Sequence, residues 1–376
     1  MRFLILHTDY PEFLRWLYSQ CPGLEDRVYD EQVRQRYESL FGVADFYSSN
    51  LRKLGHEAYD VYVNNEFMQR TWAKEHGVHV REPSALMRRR FLKSVFRRLF
   101  GLRNREGAWF YDILGAQIRD YQPDVLLNQA MGWISSSFMK AIKLNIRLIV
   151  GQIASPVTED EDYTSYDLVI SSLPNLVEYF RALGRPAELH RLGFEPAILP
   201  RLGSEEKKIA ISFVGSLFPQ HKARIELLEY LCRRLDVEVW GSLTDGLPSD
   251  SWIRKRYKGQ AWGIEMYRKL HDSKMTLNHH IDIAESYANN LRLFEATGVG
   301  TMLMTDWKVN LHEMFEPGKE VVTYRSPEEC AQLIQYYLGH DEEREAIARA
   351  GQQRTLQEHT FYNRMEELIT LLSRYL

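Results

Sequence analysis

Between Ala288 and Asp306 the sequence reads ANNLRLFEATGVGTMLMTD, a mostly apolar run that keeps Arg292 and Glu295 three residues apart behind two asparagines. Read as a helix from about Asn290 to Thr297 and a strand from Thr301 to Thr305, the run places both charged side chains on one face near the helix start. Asn289 is then the cap, Gly298 closes the helix, and the N–H groups of the first turn are free to meet an anion. A nucleoside diphosphate suits this arrangement, with phosphates at the helix start and on Arg292. Its ribose hydroxyls would meet the carboxylate of Glu295, which only accepts hydrogen bonds. The same pair also fits an ordinary surface ion pair worth about 0.2–0.5 kcal/mol, and the residue types alone leave both readings open.

Other residues at strand ends carry chemistry. Gly215 and Ser216 follow ISFV, where small residues let backbone N–H groups approach a phosphate, and Lys222 and Arg224 stand a turn or so later. His279 and His280 follow KMTLN. As neighbours on a strand end they point to opposite sides, which disfavours a shared metal ion, so His279 is taken as a candidate catalytic group and no metal site is expected. In the first half of the chain, His7 and Asp9 end the run RFLIL and are candidate bases. The loops NQAMGW and GQIASP bring Asn128, Met131, Gly132 and Ser155 as candidate acceptor-side residues. The D-x-D spelling at Asp160 to Asp162 lies in a charged loop and reads as a solvated turn. The G-x-G at Gly298 to Gly300 runs from helix to strand and lacks its third glycine, which excludes a dinucleotide fingerprint.

Elements of two kinds must position these groups. RFLILHT, EAYDVYV, PDVLLN, IRLIVG and YDLVIS are runs of strand length separated by helical segments. After a stretch rich in proline, glycine and charge the alternation restarts with KIAISFVG, VEVWG, KMTLNHH, the opening run and EVVTY, and the final TFYNRMEELITLLSRYL is amphipathic. Strand-helix alternation of this kind predicts parallel sheets, and in open α/β sheets ligands bind beyond the carboxyl ends of the strands. The 376 residues exceed what one core usually supports. We therefore place an N-terminal, acceptor-side domain at 1–195, a linker at 196–206, a nucleotide-side domain at 207–358 and a closing helix at 359–376 that packs back on the first domain.

The totals exclude several classes. With 44% hydrophobic and 26% charged residues and a formal charge of −3, the composition is that of a globular protein and no feature calls for nucleic acid. Three scattered cysteines form no C-x-x-C pair and fit a reducing cytoplasm. No apolar run reaches the roughly 18 residues of a membrane span, and the N-terminus lacks an export signal. The run ALMRRRFLKSVFRRLFGLRNR carries eight basic residues from Arg88 to Arg105 with apolar residues on one helical face. Such a segment (86–105) either lies on the inner face of an anionic membrane, where a lipid-linked acceptor arrives, or covers the sheet with a solvated basic face.

The segments NHHIDIAESYANNLRLFEATGVGTMLMTD, NLHEMFEPGKEVVTYRSPEEC and YYLGHDEEREAIARAGQQRTLQEHTFYNRM resemble the C-terminal domain of group 1 GT-B glycosyltransferases, in the branch of CgeB-like spore-maturation proteins. ISFVGSLFPQHKAR is similar to the first strand and phosphate-side loop of that domain. The resemblance implies an α/β fold of GT-B architecture: two Rossmann-like, doubly wound parallel-sheet domains facing across a cleft, with a C-terminal helix crossing back. It implies a nucleotide-sugar donor, a glycan, lipid-linked or protein acceptor, no cofactor, and transfer with retention. It assigns the ribose to Glu295 and the diphosphate to Asn289, Asn290, Arg292, Gly215 and Ser216, with Lys222 or Arg224 supplying charge where many relatives carry an arginine after the glycine. Tyr287, also counted among the nucleotide-sugar-binding residues, stands where those relatives have the first of two spaced glutamates. An epimerase of the same architecture, or a non-catalytic binder of sugar nucleotides, are the alternatives.

Overall fold

The computed structural model describes residues 1–81, 108–157, 161–203, 206–218, 221–243 and 246–376. The basic run 86–105 and Asp160 lie outside them. Among the described residues two six-stranded, all-parallel sheets form the core of two domains. The N-terminal sheet contains β1 (Arg2–His7), β2 (Glu57–Tyr62), β3 (Val125–Asn128), β4 (Leu148–Gln152), β5 (Leu168–Ser171) and β6 (Ala187–Leu189), in the order β2-β1-β3-β4-β5-β6. Around it lie α1 (Pro11–Gln20), α2 (Tyr29–Glu38), α3 (Phe46–Lys53), α4 (Glu66–Glu75), α5 (Ala108–Tyr121), α6 (Ser136–Ile142) and α7 (Pro174–Ala182).

The C-terminal sheet contains β7 (Ile209–Val214), β8 (Val237–Trp240), β9 (Tyr257–Gly259), β10 (Ser273–Asn278), β11 (Met302–Asp306) and β12 (Val322–Tyr324), in the order β12-β11-β10-β7-β8-β9. Its helices are α8 (Lys222–Arg234), α9 (Trp252–Arg256), α10 (Ile264–His271), α11 (Leu291–Gly298), α12 (Pro327–Leu338) and α13 (Asp341–Glu358). The inner strands are apolar on both faces, as burial between two helical layers requires: Leu4, Ile5, Leu126 and Leu127 in one sheet and Met275, Leu277, Met302 and Met304 in the other are all buried.

The chain crosses between the domains twice. After β6 it passes through a short 3₁₀ turn at Pro196–Arg201, and after α13 it returns as α14 (Phe361–Leu372). The return is fixed where two backbones touch, with Phe194 N donating to His359 O at 2.8 Å and Phe361 N to Phe194 O at 2.9 Å. Gly193 permits this approach, since a Cβ there would lie 3.0 Å from the backbone of His359 and Thr360. Phe361 then packs its ring against Phe46 and Tyr47 of α3, so α14 closes on the first domain. A second contact joins the domains at the α2–α3 turn, where Ile264 N donates to Ser39 O at 3.1 Å and Trp262 sits edge-on to Phe41.

Two local expectations are corrected here. Asn290, not Asn289, caps α11. Gly298 is the last residue of that helix rather than its cap, which is Val299; a side chain at 298 would run into the Phe194 ring, while Gly300, at φ 76°, makes the left-handed turn into β11.

Candidate functional site

In the C-terminal sheet the winding reverses between β7 and β10, so the helices after these strands lie on opposite faces and leave a crevice beyond the strand ends. Arg224, in the first turn of α8, bridges it. Its Nε and Nη2 donate to the carbonyl of His279 at 3.1 and 2.6 Å, and Nη1 donates to that of Ser216 at 3.0 Å. Burial brings its pKa down to about 10, which leaves it charged at neutral pH. Nη1 also lies 3.4 Å from His221 Nδ1, so of the five N–H donors of the guanidinium one is left over.

Asn290 works at the same edge. Its Oδ1 accepts from Leu293 N at 3.2 Å, capping α11, and its Nδ2 donates to Asn278 Oδ1 at 2.7 Å at the end of β10. The N-termini of α8 and α11 therefore both begin at the strand ends that form the crevice, and each carries the partial positive charge of its helix.

A cavity of about 540 Å³ opens beside Arg224, lined by Ala223, His279, His280, Asp306, Lys308 and Tyr324 among others. His280 is buried and its Nδ1 lies 2.7 Å from Asp306 Oδ1, while its Nε2 has no hydrogen-bond partner. Burial pushes the Asp306 carboxyl up, yet the hydrogen bond and charge of His280, with His279 and Lys308, outweigh it and hold the group well below the usual range. His279 faces Tyr324 instead, with Nδ1 3.3 Å from the phenol oxygen, and burial lowers its pKa. Lys308 Nζ lies 3.3 Å from Asp306 Oδ2 and donates to the carbonyl of Glu285 at 2.6 Å. Glu285 has φ 49° and ψ −118°, a conformation that costs an L-residue about 1–3 kcal/mol and that collects at functional sites. Among the described residues no three His, Cys, Asp or Glu side chains are arranged to hold a metal ion.

Arg292 and Glu295 lie on another flank of α11, toward α10. Arg292 Nη1 is 2.8 Å from Glu295 Oε2, Arg292 Nη2 contacts the Met266 sulfur at 3.3 Å, and Tyr267 Oη is 3.4 Å from Glu295 Oε1. Burial raises the Glu295 carboxyl against the pull of Arg292. This is a buried pair rather than the surface pair that the spacing alone also allows. Gly215 departs from its expected role, because its N–H donates to Trp240 O at 2.9 Å and is not free for a phosphate. The glycines here serve strand approach: a Cβ on Gly241 would sit 2.2 Å from Gly215 O. Lys222 is exposed at the start of α8, and Asn289 is half-buried beside the cap. Tyr287 packs against the apolar cluster of the N-terminal domain, where Asn175 Nδ2 donates to the nearby Ile283 carbonyl at 3.0 Å, so it joins the domains.

At the N-terminal strand ends, His7 Nε2 lies 2.7 Å from Asp60 Oδ1, and Asp9 accepts from Arg36 Nη2 at 2.7 Å and Nε at 2.9 Å. All four are buried. Asn128 is turned inward to Tyr166 Oη at 2.7 Å, and Met131 is buried over Gly151, where a Cβ would lie 2.6 Å from its sulfur. Gly132 and Ser155 are exposed. Sequence reasoning brings Gly215, Ser216, Arg224, His279 and Asn290 to one place. It misses Asp306, Lys308 and Tyr324, for which the signal is position alone: Asp306 ends and Lys308 follows β11, beside β10, and Tyr324 ends β12, one strand further out.

Comparison with known proteins decides the architecture. HepE from Anabaena, solved in complex with UDP-glucose, superposes over 100% of both chains with a TM-score of 0.58 at 12% identity. Sucrose-phosphate synthase from Thermosynechococcus elongatus gives a TM-score of 0.58 at 11% identity, over 100% of this chain and 99% of that one. A glycosyltransferase from Rickettsia africae gives 0.59 at 12%, over 100% and 98%. The chain has the GT-B fold. Residues 223–370, which include Arg224, His279, Asp306 and all of α11, match the family model described as glycosyl transferase-like. No curated protein matches the sequence. The match takes in the β10 side of the crevice and the first turn of α8 from Ala223 on, whereas β7, Gly215 and Ser216 precede it.

Proposed function

We propose that the protein is a glycosyltransferase that moves a hexose from a nucleoside diphosphate sugar to a glycan, lipid-linked or protein acceptor, with retention and without a metal ion. The observation that carries this reading is Arg224, held across the crevice between two helix N-termini in the glycosyl transferase-like segment. Breaking the anomeric C–O bond builds negative charge on the departing diphosphate. Arg224, Lys308 and the starts of α8 and α11 are fixed positive groups at that point, and such preorganised charge lowers the barrier most where water is excluded. Glu295 is the group for the ribose hydroxyls, His279 for the donor sugar. The bound UDP-glucose of the structurally similar HepE supports a nucleotide-sugar donor. The CgeB-like resemblance favours retention, and the three unpaired cysteines fit a cytoplasmic setting.

Acceptor contacts fall to Gly132 and Ser155, the exposed residues at the N-terminal strand ends. Asp9 is buried with both carboxylate oxygens on Arg36, and His7 is buried against Asp60, so we assign Asp9 and His7 to holding those ends in place. The test is titration of the chain with UDP, GDP and ADP, followed by assay of the matching sugar nucleotides with and without acceptor. Arg224→Met should weaken diphosphate binding about ten- to hundredfold, the worth of a charged hydrogen bond. Free nucleotide released faster with acceptor supports transfer. Sugar isomerisation without acceptor, or binding with no turnover, overturns it.

A further inference from the structure

The N-terminal domain has a second cavity, of about 670 Å³, in a different domain from the crevice. It wraps the open edge strand β2, between α2 on one side and α4 and α5 on the other. Its walls are aromatic: Tyr29 and Tyr37 from α2, Trp72 from α4, Tyr59 from β2 and Tyr121 from α5. Tyr59 is 57% exposed and stands edge-on to Tyr121 with ring centroids 4.6 Å apart, so one of its faces is open.

At the inner wall lies Gln117, which is 4% exposed, and both atoms of its amide, Oε1 and Nε2, are buried without a hydrogen-bond partner. Buried amides are nearly always bonded, and an unpaired one, with two donors and an acceptor, in the wall of a roomy cavity is a group set for a ligand. The charges on the lining select the ligand's class. Asp30, Asp60, Glu75 and Asp120 stand against Arg34 and Arg52 in the lining, an acidic surplus that rejects phosphates and carboxylates. Aromatic faces for C–H surfaces, a planar amide for hydroxyls and no net positive charge together describe a sugar ring.

We propose that this cavity binds a neutral saccharide unit, with Gln117 taking its hydroxyls and Tyr59 covering a ring face. The proposal stands apart from the donor site, and its test keeps the two distinct. Saturation-transfer NMR of the full chain is run with methyl β-glucoside, N-acetylglucosamine and maltose at millimolar concentration, each with and without saturating UDP. At least one sugar should bind, UDP should leave its signal unchanged, and glucuronate should bind about tenfold more weakly or not at all.

Tyr59→Ala, at an exposed position, and Gln117→Leu, of similar shape, should each weaken that sugar about tenfold or more and leave UDP affinity intact. A site that hydrogen-bonds hydroxyls loses binding sharply when that partner is removed. Absence of any sugar signal, displacement by UDP, or glucuronate binding equal to the neutral sugars would overturn the proposal. So would sugar binding unchanged in Gln117→Leu together with a raised Tm, the result expected if the amide merely faces water.

Discussion

The two sheets wind alike, yet their carboxyl ends treat charge in opposite ways. In the N-terminal domain His7 is tied to Asp60 and Asp9 to Arg36, each pair closed and buried. In the C-terminal domain Arg224 is anchored on carbonyls, and Lys308 is shared between the Glu285 carbonyl and Asp306, whose other partner His280 keeps its Nε2 unpaired beside a cavity. Charges neutralised in pairs make a rigid wall, and charges anchored on neutral carbonyls remain available to an anion. Under the function proposed above, the same architecture would give one half a surface against which an acceptor is placed and the other a seat for a diphosphate.

The largest test removes one member of a closed pair. Arg36→Leu leaves Asp9 buried and unpaired, which should cost about 3–5 kcal/mol in chemical denaturation, whereas Lys308→Met in the open set should cost about 1 kcal/mol. Equal losses would break the contrast.

The joint between the domains answers to pH. His359 sits with Nε2 2.8 Å from Met314 O and Nδ1 2.6 Å from Arg364 Nη2, and burial, then the charge of Arg364, outweighs the carbonyl and brings its pKa to about 4. The unfolded chain takes up this proton near pH 6.5 and the folded chain only near 4, so stability present at neutral pH is lost between those values. The loss is on the order of 3 kcal/mol. His190, brought to about 3 by burial, extends the same trend downward. Asp306, depressed in the folded state, contributes only in the lower carboxylate window. Thermal unfolding followed from pH 7 to 4 should show the slope, and His359→Gln should flatten it. A slope unchanged by that substitution would move the pH response to the strand ends.

Nucleotide affinity sharpens the contrast further. Glu295→Gln keeps the shape of the buried pair with Arg292 but removes its charge, and UDP binding by calorimetry should fall about ten- to hundredfold. Asp9→Asn, in the closed set, should leave UDP affinity within about threefold. A large loss in Asp9→Asn would mean that the N-terminal strand ends also hold the donor.

How much of this is legible in the sequence depends on the range of the interaction. The apolar strand runs, the restart of the alternation near residue 207 and the closing helix are local patterns, and the folded chain contains them. The helices at Glu66–Glu75, Ala108–Tyr121 and Trp252–Arg256 are less legible: Trp72 and Ala73 pack with Ile113 and Ala116 in a small satellite cluster, Leu114 and Ile118 turn to the main core instead, and the third helix, of 5 residues, is too short to show a stripe. Arg224 is found because it follows a glycine at a strand end. Its partners are not, because carbonyls carry no sequence signature. The Asp9–Arg36 pair joins residues 27 apart through packing of α2 on the sheet, and no spacing rule reports that. Gly298 does end its helix, but the reason for a glycine there is not legible: the ring that requires it, Phe194, comes from the interdomain crossing.

The smallest effect concerns the cap of α11. An asparagine pair leaves the capping residue ambiguous in sequence, and backbone geometry resolves it: Asn290 is extended, at φ −162° and ψ 163°, with its side chain on Leu293 N. Asn290→Ala therefore removes a cap worth about 1 kcal/mol and also the bond to Asn278 that ties the helix start to β10. Asn289→Ala, one residue earlier and without a capping bond, should stay within about 0.5 kcal/mol. Because the start of α11 is part of the open set, Asn290→Ala should also weaken UDP binding, through looser placement of the free N–H groups. Denaturation and UDP titration of the two variants side by side separate the cases. If Asn289→Ala proves the more damaging in both, the helix begins a residue earlier and the first-turn N–H groups face a different part of the crevice.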